Sequence, residues 1–474
     1  MNLSMNWRNI FASLKSRDMQ KRLGVVLGIV IVYRFLSQVP VPLAEPTELR
    51  QVIENTIGAT DLGGFLNLLS GGGLASLSIV LVGLSPYITA SVVTQLLTKA
   101  IPRLEELHKD GESGRKKINQ WTRILTLPLS VLQSIAFIFI IRQTVLAGNT
   151  GVLSDTTLYQ WIIAVTAMTA GAMLMMWFGE LITEQGVGNG ISLLIFAGII
   201  SQLPSILGSV WTSLTTVTDN ADKLNVFGWF MLPINGVAFW VTLGVSIAAL
   251  AVLYILVKIN EAQRVITINY AKRVQGNSAY SGVKSILPVK LITAGVIPVI
   301  FAVAFLALPA FVGQILKSSG NAQYADLANN LITWFQTPQP GAFGYGGIES
   351  FIYPISYFIL VVAFTYFYTG IVFNSNEISE NLQKQGGFIE NIRPGLQTEK
   401  YLSRTVNRLT LFGSIALGLI AVMPFVAEYI FAQMGINAAN LAIGGTGLLI
   451  VVSVGLETLR QINSRALMVT YDQY

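Results

Sequence analysis

Residues 67–78, NLLSGGGLASLS, join two apolar pieces of unequal length. Before the join, residues 62–69 form an apolar stub; after it, an apolar run continues to about residue 98. A helix needs about 20 apolar residues to cross about 30 Å of hydrocarbon, and a stub of about 10 rises only about 15 Å. Gly71, Gly72 and Gly73 between them weaken a helix and mark a hinge. A stub, a hinge and a span make either a broken helix around a substrate site or a stopper hinged to the wall of a channel.

The remainder of the chain narrows the choice. Of its 474 residues 53% are apolar and 11% charged, against roughly 25% charged in a soluble domain. Ten apolar runs lie near 23–41, 74–98, 121–146, 157–179, 187–208, 236–258, 290–316, 351–374, 405–431 and 440–461. Segments of about ten alternating residues, the signature of a β-barrel, do not occur. The composition predicts an all-α, polytopic membrane protein with ten spans. The fourth and fifth runs are expected to be separated by a short polar turn at 179–186. The N-terminus lacks a cleavable signal pattern, so the first run should persist as a span. There is no cysteine, and the single histidine, His108, sits in a polar loop without an assigned role.

Basic residues set the orientation. Of 30 Lys and Arg, 25 fall in or beside alternate connections and four in the intervening ones, with Arg34 inside the first run. That asymmetry places both termini in the cytoplasm. The layout is a cytoplasmic N-terminus (1–22), a first half (23–208), an external loop (209–235), a second half (236–461) and a cytoplasmic tail (462–474). Two cytoplasmic loops, 259–289 and 376–404, are longer than a connection requires. In the first, the run from Arg264 to Arg273 has strand-forming residues and a turn follows at 275–278, a projecting basic hairpin. In the second, Glu377 to Lys384 reads as a helix ended by Gly386 and Gly387, followed by an Ile392-Arg-Pro-Gly395 turn. Loops this basic should dock something acidic or large.

The interior is uncharged. Spans four to eight hold no ionisable residue in their central turns, where ion-coupled carriers and proton relays keep them. Arg34 is expected to snorkel from the outer end of the first span; Glu428, Glu457 and Arg460 lie near span ends. No carboxylate pair, metal-ligand cluster or nucleotide-binding Gly-rich loop is present, so neither an enzyme nor a cofactor is expected. Leu84 and Ile88 share one helix face, as do Ile191 and Ile195. Around them Gly83, Ser85, Thr89, Gly188, Asn189, Gly190 and Ser192 favour close helix approach and cross-helix hydrogen bonds. Inward aliphatic faces of this kind resist water and ions by dewetting. On these residues a secondary transporter with a discontinuous helix at 70–73 and a channel with a stopper both stay open, with the uncharged interior and basic loops favouring the channel.

Several short motifs fall in a characteristic order. They are Ser113-Gly-Arg115, Gly188-Asn-Gly-Ile-Ser192, Tyr270-Ala-Lys-Arg273 and Ala294-Gly-Val-Ile-Pro298, then Phe373-Asn374, Asn381-Leu-Gln-Lys-Gln-Gly-Gly387, Ile392-Arg-Pro-Gly395 and Gly444-Gly-Thr446. Together they resemble the bacterial branch of the SecY family, the central channel subunits of Sec protein translocons, from about residue 20 to 472. The resemblance implies two five-helix halves in an inverted repeat around an hourglass pore, although no internal repeat is legible in the sequence itself. It implies a plug over residues 61–71, with Leu62, Phe65, Leu66 and Leu69 as its apolar side and Gly71–Gly73 as its hinge. It implies a pore ring of Leu84, Ile88, Ile191, Ile195, Ile300 and Ile450, and a lateral gate between spans two and three and spans seven and eight. It implies docking of the SecA ATPase or the ribosome on Arg264, Lys272, Arg273 and Arg393. The small subunits SecE and SecG, preprotein signal sequences and membrane lipid complete the implied partners, with no nucleic acid beyond ribosomal RNA. The expected activity is passage of unfolded secretory polypeptides across the bacterial plasma membrane and lateral release of apolar segments. The chain departs from the family at Asn277 and Ser278, where a basic pair is usual, along residues 285–292, and at Leu84, where isoleucine is commoner.

Overall fold

A computed structural model describes residues 17–42, 77–147, 157–215, 223–226, 230–270, 274–275, 278–279, 284–318, 322–335, 348–433 and 445–471. In chain order its first helices are α1 (Arg17–Leu36), α2 (Ser85–Ala100), α3 (Pro102–Lys109), α4 (Glu112–Ala147), α5 (Leu158–Gln185) and α6 (Gly190–Thr215). A hairpin of β1 (Lys223–Val226) and β2 (Phe230–Asn235) leads to α7 (Gly236–Glu261). Strands β3 (Gln263–Tyr270), β4 (Val274–Gln275), β5 (Ser278–Ala279) and β6 (Lys284–Lys290) precede α8 (Ile297–Ser318) and α9 (Ala325–Phe335). Then come α10 (Ile352–Val372), α11 (Ser375–Lys384), β7 (Gly387–Ile389), α12 (Leu396–Gln433) and α13 (Gly445–Tyr471).

Each of the ten apolar runs overlaps one of these helices. Among the described residues, six stretches are long and apolar enough to cross a membrane: Lys116–Phe139, Leu158–Gln185, Ala238–Glu261, Ile297–Lys317, Glu349–Lys384 and Leu396–Ala427. The protein is thus a mostly helical, multi-pass membrane protein. Exposed Trp240, Leu243, Ile247, Leu250 and Tyr254 along α7 are what a lipid-facing helix presents. α4 packs on α2 and α5, α5 on α6, and α10 on α12. Farther along the chain, α8 packs against α2 and α4, and both α7 and α13 pack against α6.

Four expectations are corrected. The second run is not a full-length helix: α2 begins only at Ser85, and residues 77–84 are turns and a bridge. Leu77 and Gly83 have positive φ there, and Pro86 in the first turn of α2 cannot accept a continuing helix. This segment pairs instead with the chain after α1, Val41 N donating to Leu77 O at 2.9 Å and Ile79 N to Val39 O at 3.0 Å. Likewise the seventh run starts its helix at Ile297, after turns at 291–296. Third, α5 runs through Glu180 and Glu184 to Gln185, so the fourth-to-fifth turn is only residues 186–189, where Gly186 ends the helix at φ +67°. Fourth, Arg34 does not merely snorkel: it donates to Ser201 Oγ of α6 at 2.8 Å. The amphipathic α9, lying against α8, was not foreseen because its one apolar stripe is too short to register as a span.

The two long loops are not separate features. β3 pairs with β6 and also with β7, so loops 259–289 and 376–404 share one antiparallel sheet in the order β6-β3-β7. Ile266, Val289 and Ile389 of that sheet pack on Leu402 and Val406 of α12. Within the expected hairpin, β3 pairs with β6, and the short β4 pairs with β5, Val274 with Ala279 and Gln275 with Ser278. The helix over Glu377–Lys384 is borne out by α11, which Asn374 caps.

Candidate constriction and docking surface

Four inner helices carry the six aliphatic positions. Leu84 is the N-cap residue of α2, and Ile88 N donates to Leu84 O at 3.0 Å. In α8, Ile300 N donates in the same way to Val296 O at 3.3 Å. Ile191 and Ile195 lie in the first turns of α6, whose start is tightly specified. Asn189 Oδ1 accepts from the amides of Ile191 at 3.1 Å and Ser192 at 3.2 Å, and Thr183 Oγ1 of α5 accepts from Gly190 N at 2.9 Å. Gly190 lies so close to α5 that a Cβ there would be 1.9 Å from Gly179 O. Sequence reasoning marked Gly188–Ser192 as a motif but missed Thr183 and Gly179, because nothing in a one-dimensional pattern pairs two helices across a turn.

These starts bring the six residues together. Leu84, Ile88, Ile195, Ile300 and Ile450 belong to one buried apolar cluster, with Ile191 packed against it half-buried. Leu84 and Ile195 are 1% exposed, Ile88 3%, Ile450 6% and Ile300 8%, so all five are buried. Val296, Val299 and Val454 are among the members of this cluster. Buried threonines on α2 (Thr94, Thr98) spend their hydroxyls on carbonyls of their own helix, leaving its packed face without free donors. The plug residues Leu62, Phe65, Leu66 and Leu69 and the hinge Gly71–Gly73 lie outside the described residues.

On the sheet side, Arg264 is exposed on β3 and Arg393 is exposed in the turn before α12; Lys272 and Arg273 lie outside the described residues. The Arg393 turn is clamped from both flanking helices. Thr398 Oγ1 donates to Arg393 O at 2.9 Å, and Ser379 Oγ of α11 donates to Gly395 O at 2.8 Å, with both hydroxyl residues buried. Gly395 sits at φ +94°, open to glycine alone at no steric cost. At the end of β6 the Lys290 ammonium is held below its ordinary range by burial and by neighbouring Arg460, with Glu457 opposing. Arg460 donates to Asn260 O at 3.0 Å and so closes the end of α7. Among the described residues no group of His, Cys, Asp and Glu has metal-holding geometry.

Fold and site together define a polytopic helical membrane protein in which six aliphatic side chains gather in or against one buried apolar cluster, and in which Arg264 and Arg393 are exposed beside one small sheet. The sequence profile of the SecY family matches residues 78–459. The chain is 39% identical over 472 residues to the protein translocase subunit SecY of Corynebacterium glutamicum, covering 98% of each chain. It is 37% identical over 479 residues to that of Mycobacterium tuberculosis and 37% over 468 residues to that of Streptomyces galbus, again with 98% coverage of each. The chain belongs to the SecY family. Solved structures of similar fold include "The structure of a protein conducting channel", at TM-score 0.59 and 17% identity over 93% of this chain and 92% of that one. Sec61 in a canine ribosome–channel complex aligns at TM-score 0.55 and 17% identity over 93% and 91%.

Proposed function

We propose that this chain is the protein-conducting subunit of a Sec-type translocon in a bacterial plasma membrane, with both termini in the cytoplasm. Unfolded secretory polypeptides pass through the waist formed by Leu84, Ile88, Ile191, Ile195, Ile300 and Ile450. The observation that carries this reading is that these aliphatic side chains, drawn from four helices in both halves, gather in or against one dry cluster. A polypeptide of arbitrary sequence cannot be selected by a polar filter, and a deformable apolar gasket seals around it without a fixed shape. Hydrophobic signal segments leave sideways where α8 meets α2 and α4. The chain itself performs no catalytic step: the driving force comes from the SecA ATPase or from the ribosome, docked on the cytoplasmic sheet through Arg264, Lys272, Arg273 and Arg393. SecE and SecG are the small membrane subunits of the complex. Residues 61–71 are the plug; a solved relative's plug domain is described as stabilising the closed state and maintaining a membrane seal.

The test is conductance. Purified channel complex carrying Ile88→Gly, Ile195→Gly, Ile300→Gly and Ile450→Gly together should leak ions across a planar bilayer in the resting state, where the parent does not. Equal conductance from both would reject the gasket.

A further inference from the structure

The two halves carry one structural motif twice. Gly83-Leu84-Ser85-Pro86-Tyr87-Ile88 leads into α2, and Gly295-Val296-Ile297-Pro298-Val299-Ile300 leads into α8. Both glycines adopt left-handed backbone, at φ +55° for Gly83 and +64° for Gly295. In each copy a proline sits in the first turn of the helix, where its missing N–H is not needed. In each copy the isoleucine amide donates to the carbonyl of the residue after the glycine, Ile88 N to Leu84 O at 3.0 Å and Ile300 N to Val296 O at 3.3 Å.

The match extends beyond the local turn. The carbonyl four residues before each glycine rests on a glycine of a helix further along its own half. A Cβ at Gly171 of α5 would lie 2.1 Å from Ile79 O, and one at Gly413 of α12 would lie 2.3 Å from Leu291 O. Both non-helical segments are thus seated by backbone-to-backbone contact of one kind. The other two inner helices carry similar sequences, Gly190-Ile-Ser-Leu-Leu-Ile195 at the start of α6 and Gly445-Thr-Gly-Leu-Leu-Ile450 in α13.

This correspondence pairs Ile88 with Ile300 and Ile195 with Ile450, all of them gasket positions. It also pairs Leu84 with Val296, which has no assigned role. Val296 is fully buried, and it lies in the same apolar cluster as Leu84. We propose that Val296 is a seventh member of the seal, the second half's counterpart of Leu84. The proposal rests on the gasket reading above and adds a residue to it.

Two experiments on the complete channel complex decide it. In proteoliposomes, Val296→Gly should produce a resting ion leak comparable to that of Leu84→Gly, while Leu417→Ala, on α12 and equally buried in the cluster, should stay tight. If Leu84→Gly leaks and Val296→Gly does not, Val296 is only core and the gasket reading survives. If neither leaks, the gasket reading fails and the proposal with it. If Leu417→Ala leaks as much, general loosening explains the effect and the proposal is overturned. The second experiment does not depend on a leak. The chain has no cysteine, so Val296→Cys and Leu84→Cys are each unique thiols. Both should form a disulfide with a cysteine placed in a translocating polypeptide stalled in the channel. A crosslink from position 84 with none from position 296 would refute the assignment.

Discussion

Gly190→Ala tests whether the position of the waist depends on the α5–α6 contact. An added methyl would lie 1.9 Å from Gly179 O, 2.8 Å from Gly179 C and 2.9 Å from Ile182 Cβ. Two of these atoms are backbone, so neither rotates away, and reaching an ordinary contact of 3.4 Å requires α6 to move off α5 by about 1.5 Å. Overpacking of this kind costs about 1–3 kcal/mol, and a radial gap of up to about 1 Å forfeits about a quarter to a half of the dispersion in each opened contact. Gly208 of the same helix is the internal control, because nothing lies within 4 Å of its added Cβ. Alanine there should be neutral or stabilising by up to about 1 kcal/mol through helix propensity alone. The two substitutions are chemically identical and should shift the thermal denaturation midpoint of the detergent-purified complex in opposite directions. Since Ile191 and Ile195 ride on α6, the Gly190 variant should also leak ions in proteoliposomes. A Gly190→Ala midpoint at or above that of Gly208→Ala would refute the reasoning.

Two other consequences concern docking and the plug. Arg393→Glu reverses the exposed charge of a turn clamped through Thr398 and Ser379, so preprotein translocation driven by the motor ATPase should fall sharply while the amount of channel in the membrane stays normal; normal translocation would contradict docking at this residue. A covalent tether from Leu66 to the wall of the constriction should abolish delivery of protease-protected preprotein. Full delivery through the tethered channel would show that residues 61–71 need not move.

What the sequence made legible was the part written in composition and local chemistry. Apolar runs overlapped every inner helix, and Glu377 to Lys384 read as a helix, which the structure extends back to Ser375 behind an Asn374 cap. Leu84 and Ile88, and Ile191 and Ile195, could be paired because a helical turn relates them. What was not legible lies between elements distant in the chain. Hydropathy cannot separate an apolar helix from an apolar turn, so residues 77–84 and 291–296 read as span. Their conformation depends on Val39, Val41, Gly171 and Gly413, all contributed by other elements. Strand β7 is three residues long and exists because β3 offers it an edge, so the joining of the two long loops had no local signal. The repeat escaped for a related reason: its identities are a few glycines, prolines and isoleucines, and only shared backbone geometry makes them correspond.

The breaks also decide between the two readings of a discontinuous helix. Three inner helices begin beside the proposed waist: Leu84 caps α2, Ile191 is near the start of α6, and Ile300 lies early in α8. A helix that starts inside a bilayer leaves first-turn amides without partners, and each unpaired group costs several kcal/mol there. In a transporter those freed groups face a cavity and bind the substrate or its ion. At these three starts the leading amides are taken up locally. Val82 O accepts from Ser85 N at 3.3 Å and Leu84 O from Ile88 N at 3.0 Å at α2, and Val296 O accepts from Val299 N at 3.0 Å and Ile300 N at 3.3 Å at α8. Asn189 and Thr183 take the leading amides of α6. Backbone groups satisfied within the chain need no substrate or ion to pair with them, which favours the proposed gasket over a transporter's binding site.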